Sequence, residues 1–147
     1  MSNVRELHDK AMQLAQLALI ARHDQEWEEA KSLARQSYEY EAQAAELIPK
    51  DKSSEPTRSI LYRSAASLAY QCEEFGIAQR LIAKGLSGYP PPQIEQELKE
   101  LDEQVKRAYF VKVFSPAFKG PKHTALDKDV PKVINEEEEN QDSKISM

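Results

Sequence analysis

Apolar residues return every three or four positions through most of the first 110 residues, and polar residues fill the gaps. That spacing places the apolar set on one side of a 3.6-residue helix. Val4, Leu7, Ala11, Leu14, Ala18 and Ala21 predict a first helix of about twenty residues, with Leu17, Leu19 and Ile20 widening the stripe. Asn3 and Glu6 have the spacing of a capping box. His23-Asp24-Gln25 reads as a turn, with Asp24 as the N-cap of a second helix whose first turn holds Glu26, Glu28 and Glu29. The second stripe is Trp27, Ala30, Leu33, Ala34, Tyr38, Ala42, Ala45 and Ile48, and Pro49 ends it.

After a polar loop at 50–54, Leu61, Ala65, Leu68, Ala69 and Cys72 form a third stripe. Ser54 is the expected N-cap, and Pro56 lies in the first turn, where a missing N–H costs little. The fourth stripe is Phe75, Ala78, Ile82 and Gly85. Gly85 and Gly88 are expected to take positive φ and stop it before Pro90-Pro91-Pro92. Ile94, Leu98, Leu101, Val105 and Ala108 form a fifth. Joins this short force neighbouring helices to lie antiparallel. The expectation is an all-α fold of about five helices: hairpins at 3–48 and 55–88, then a capping helix at 92–112. Trp27 and Ala30 recur as Phe75 and Ala78, each pair 48 residues apart.

The stretch 56–90 resembles a tetratricopeptide repeat, a 34-residue helix–turn–helix. Tyr62 matches that family's large residue early in the first helix, and Ala65-Ala66 its small pair. Phe75 and Ala78 match the aromatic before an obligatory small residue. Ile82, Gly85, Leu86 and Pro90 match the closing pattern. Glu73 departs where the family prefers glycine, and Ala69 where it prefers an aromatic. The first hairpin is a stretched version, and it also resembles the hairpin of microtubule-interacting-and-transport domains. The tetratricopeptide resemblance implies that the first helix of each hairpin lines a concave groove. Met12, Ala15, Leu19, Arg22 and His23 would line it from one hairpin, and Arg63, Ser67, Tyr70 and Gln71 from the other. It further implies a protein or peptide partner, whose carboxylates the arginines could hold through paired N–H donors. The asparagine-and-lysine set that clamps chaperone C-termini in some members is absent.

Past Lys112 the pattern changes. Tyr109, Phe110, Val111, Val113, Phe114 and Phe118 make an apolar patch, read either as added core or as a docking motif. Prolines, glycine and the Glu136–Glu139 run follow. The domain is therefore assigned to 1–114 and a polar, acidic tail to 115–147, with disorder expected from about residue 119.

Composition narrows the function. The formal charge is −5, and the segments 1–50, 51–112 and 113–147 carry −3, 0 and −2. No segment is basic, which argues against nucleic acid as a partner. Cys72 is the only cysteine, His8, His23 and His123 are dispersed, and there is no glycine-rich phosphate loop. No metal, cofactor or catalytic activity is expected. A polar N-terminus and the lack of a long apolar run lead to the expectation of a cytoplasmic protein with no membrane contact. The leading expectation is a small adaptor that binds another protein. The alternatives are a homo-oligomer joined through the stripes of the first and fifth helices and a small enzyme-like helical bundle.

Overall fold

A computed structural model describes residues 2–115, and all of the regular structure among them is helical. The helices are α1 (Ser2–His23), α2 (Trp27–Glu46), α3 (Thr57–Gln71), α4 (Phe75–Leu86) and α5 (Pro92–Phe114), with one 3-10 turn at Lys52–Ser54. The predicted tail from residue 116 onward, including Phe118, lies outside the described residues. Contacts divide the chain into a first unit, Met1–Arg107, and a second, Ala108–Met147.

In the first unit α1 and α2 form hairpin 1, α3 and α4 form hairpin 2, and α2 packs on α3. Alanine dominates the contacts. Ala11, Ala18, Ala34, Ala44, Ala45, Ala65, Ala66, Ala69 and Ala78 are buried, so the backbones approach closely. Leu61, Tyr62, Leu68, Leu81 and Ile82 fill the spaces between them. The first unit's part of α5 adds Ile94, Leu98, Leu101 and Val105 to that core. Each such burial contributes about 1.5–3 kcal/mol; two helical hairpins are few for an independently stable repeat stack, and α5 supplies the added apolar surface.

Both hairpin turns have the same geometry, displaced by 48 residues. Gln25 (φ 61°) and Glu73 (φ 65°) take the left-handed conformation. The N–H of Glu26 donates to the carbonyl of Ala21 (2.8 Å), and that of Glu74 to Ala69 (2.9 Å). Gln25 N–H donates to Arg22, and Glu73 N–H to Tyr70, both at 3.0 Å. This pair of bonds is the Schellman C-cap, which satisfies the last carbonyls of a helix. Helix entry also matches, with Ala30 N–H on Glu26 and Ala78 N–H on Glu74, both at 2.9 Å.

Several sequence expectations are corrected. Asp24 does not cap α2. Its N–H still belongs to the α1 ladder through Ile20 (3.0 Å), and the N-cap position is Glu26, without a side-chain hydrogen bond. Ser54 does not cap α3. It closes the 3-10 turn, where Asp51 accepts from its N–H at 3.1 Å. The cap on α3 is the carboxylate of Glu55, which accepts from Ser59 N–H at 3.1 Å, while its other oxygen accepts from Tyr89 N–H at 3.3 Å. One side chain thus ties the start of α3 to the chain leaving α4. Neither Gly85 nor Gly88 has positive φ. Gly85 lies inside α4, where an added Cβ would stand 3.1 Å from Tyr62 Cβ and 3.1 Å from Leu98 Cδ1. A Cβ at Gly88 would collide with Arg58 Nη1. Both glycines are there for close approach, and α4 ends at a C-cap made by Ser87, whose hydroxyl donates to the Lys84 carbonyl at 2.8 Å, ahead of the prolines that prevent continuation.

Candidate functional site

The nine residues expected to line a groove come from α1 and α3, and none of them is buried. On α1, Ala11, Ala18 and Ala21 face the core, leaving Leu19 66% exposed on an adjoining face, with Met12 half-buried and Arg22 and His23 exposed. On α3, Tyr62, Ala65, Ala66 and Ala69 are buried, while Arg63, Ser67 and Tyr70 are half-buried and Gln71 is exposed. The two sets are physically joined at one point. Arg22 Nη2 donates to Gln71 Oε1 at 2.6 Å, linking the C-terminal ends of α1 and α3.

The arginines are less free than the sequence suggested. Arg63 donates to Glu97 of α5, so a partner's carboxylate would have to displace a carboxylate already in place. Tyr70 packs at its own turn, with its ring centroid 6.1 Å from that of Phe75 at a tilt of 46°. His23 Nδ1 lies 3.4 Å from Asp24 Oδ1, an exposed neighbour pair. The surface that remains is mainly neutral and amphipathic, centred on Leu19, Met12 and Ser67.

Sequence reading missed a polar seam inside hairpin 1. Ser37, fully buried, donates its hydroxyl to the carbonyl of Ala11 at 2.6 Å. Glu41, also fully buried, holds His8 with Nδ1 2.9 Å from Oε1 and 3.2 Å from Oε2. A carboxylate only accepts, so Nδ1 carries the hydrogen. Its spacing from Ala34, Tyr38 and Ala45 puts Glu41 on the buried line of α2, but a carboxylate between Tyr40 and Ala42 reads as part of the solvated face. Among the described residues no three His, Cys, Asp or Glu side chains gather as metal ligands would. Cys72 is buried, and that burial pushes its thiol up to about 11, so it is protonated and unreactive near neutrality.

A hollow open to solvent and about 670 Å³ in volume lies between the first half of α1 and the second half of α2. Lys10 spans it, with its ammonium 5.4 Å from the centre of the Tyr40 ring. Its lining mixes Leu7 and Leu47 with Glu6, Gln43 and Glu46. In the second unit, Tyr109, Phe110, Val111, Val113 and Phe114 are exposed rather than buried, and the rings of Phe110 and Phe114 lie 4.7 Å apart.

No protein-family model, no curated protein and no solved structure matches this chain. No helix among the described residues is long and apolar enough to cross a membrane. Ala11, Ala18 and Ala21 of the α1 stripe and Ile94, Leu98, Leu101 and Val105 of the α5 stripe are buried within the fold, while Leu17, Leu19 and Ile20 of α1 stay exposed.

Proposed function

We propose that this chain is a small, non-catalytic, tetratricopeptide-like interaction module of the cytoplasm that receives a protein or peptide on the α1/α3 face. The observation that carries the reading is the turn repeated at a 48-residue interval, with matching φ angles and matching capping bonds. Two hairpins with the same turn, packed through alanines, are the architecture from which repeat proteins build concave binding surfaces. The positive φ at Glu73 falls where the family prefers glycine, which adds support from the backbone itself. The unburied face of Met12, Leu19, Ser67, Tyr70 and Gln71 offers a mixed apolar and hydrogen-bonding surface suited to an amphipathic peptide.

Affinity capture with the full chain tests this, comparing wild type with Leu19→Asp and Ser67→Arg. Both positions are unburied, so both variants should keep the wild-type circular dichroism. Protein bands recovered by the wild type should be lost from both variants. Unchanged recovery from folded variants would remove the α1/α3 face as the binding surface.

A further inference from the structure

The 48-residue repeat compares each surface of hairpin 1 with its counterpart in hairpin 2. Leu61, Ala65, Leu68 and Leu81 of hairpin 2 are buried. Their counterparts in hairpin 1 are Gln13, Leu17, Ile20 and Leu33. Leu17 is 50% exposed and Ile20 53% exposed. Hairpin 2 meets the other side of hairpin 1, where Lys31, Arg35 and Glu46 of α2 pair with Glu73, Glu74 and Lys84. The outer edge of hairpin 1 therefore carries apolar residues at positions that, one repeat later, are covered by helices.

The pattern along that edge indicates the occupant. Lys10, Leu17 and Asp24 are seven residues apart and lie on one line of α1 and its C-cap. The line reads basic, apolar, acidic. Reversed, it is its own complement, which is the requirement for a two-fold contact between identical surfaces. Asp24 is exposed, with only its neighbour His23 beside it at 3.4 Å among the described residues, and Lys10 lies over the Tyr40 ring on the same edge.

We propose that two copies of this chain pair through the outer edge of hairpin 1, with α1 antiparallel to α1 of the second copy and Leu17 on the two-fold axis. In this register Lys10 of each copy faces Asp24 of the other, twice over. Ile20 packs beside Leu17 at the position that Leu68 occupies within one chain. The contact lies on a different side of α1 from Leu19, so it leaves the proposed peptide face open.

Sedimentation of the full chain across ~1–500 μM covers the affinity range expected of a modest helical interface. The expected result is a concentration-dependent rise from 16.8 kDa toward twice that mass. Leu17→Glu and Ile20→Lys should each give a monomer, whereas Leu19→Glu should leave the dimer intact. Lys10→Glu or Asp24→Lys alone should weaken pairing by roughly tenfold or more, because each sets like charges opposite one another twice. The double swap should bring the affinity back to within about threefold of wild type, since the two pairs are then re-formed with exchanged signs. A wild type that stays monomeric throughout, or a folded Leu17→Glu variant that still dimerises, overturns the proposal. A double swap as weak as the single ones overturns it too. The groove's fate is separate, because Leu19→Asp acts on partner capture without acting on mass.

Discussion

Gly85 is the position at which the packing of hairpin 2 against α5 is most open to quantitative test. Replacing it with alanine sets two effects against each other. Alanine is favoured over glycine in a helix interior by about 1 kcal/mol. Against this, the new methyl would lie 3.1 Å from Tyr62 Cβ and 3.1 Å from Leu98 Cδ1, where carbon pairs prefer about 3.5–4.0 Å. Tyr62 Cβ is fixed to the α3 backbone and cannot rotate away. Leu98 is fully buried, so its methyl has no empty space to enter. Overpacking of this kind costs about 1–3 kcal/mol. The net expectation is destabilisation by about 1 kcal/mol, a fall in melting temperature of about 4 °C for a domain of this size. Gly76 supplies the internal control, since it is exposed in the first turn of the same helix and its nearest neighbour is Arg80 Nη1 at 3.9 Å. Gly76→Ala should stabilise by about 0.5–1 kcal/mol through propensity alone. Urea titrations followed by helical ellipticity, with the slopes compared, measure both. If Gly85→Ala stabilised the protein as much as Gly76→Ala, the close approach of α3, α4 and α5 at this point would be refuted.

Further outcomes follow from the turns, the thiol and the polar seam. Gln25→Gly should raise stability by about 0.5–1 kcal/mol, because a non-glycine left-handed residue costs about 1–2 kcal/mol and glycine's greater unfolded-state entropy returns part of it. Glu73→Gly should gain less, since it removes the carboxylate that lies 3.4 Å from Lys31 Nζ, and thermal melts of the two variants rank them. Burial raises Cys72 to about 11 and also raises Tyr38 and Tyr62. The folded state therefore holds these protons more tightly than the unfolded chain. Their stabilising contribution is complete below the unfolded thiol value near 9 and falls away as pH rises through the folded values. Denaturant midpoints should drop steadily from pH 9 to 11, and a thiol reagent at pH 8 should label Cys72 only as fast as the chain opens. A flat midpoint or immediate labelling would contradict its burial. Glu41→Ala should cost about 2–4 kcal/mol by leaving a cavity and an unpaired His8, and Glu41→Gln should cost less because the amide oxygen still accepts from Nδ1. Equal losses in chemical denaturation would show that the hydrogen bond contributes nothing.

Periodicity, proline placement and short polar joins determined the number of helices, their order and their antiparallel pairing from the sequence alone. Those are local properties, set by which residues share a face over three or four turns and by where the backbone cannot continue. The 48-residue recurrence of Trp27 and Ala30 as Phe75 and Ala78 likewise located a turn that the backbone repeats. Only the tertiary structure decided what each small or polar residue is for. Gly85 and Gly88 resemble helix-ending glycines in sequence, yet they serve close approach, because their role is fixed by Tyr62, Leu98 and Arg58 from other segments. Arg63 reads as an open carboxylate receptor until α5 brings Glu97 against it. Glu41 reads as a surface charge until α1 lays His8 beside it. A pattern along one helix shows which side faces inward. It cannot show which neighbour arrives there, because that neighbour is set by contacts between residues of different segments, well separated along the chain.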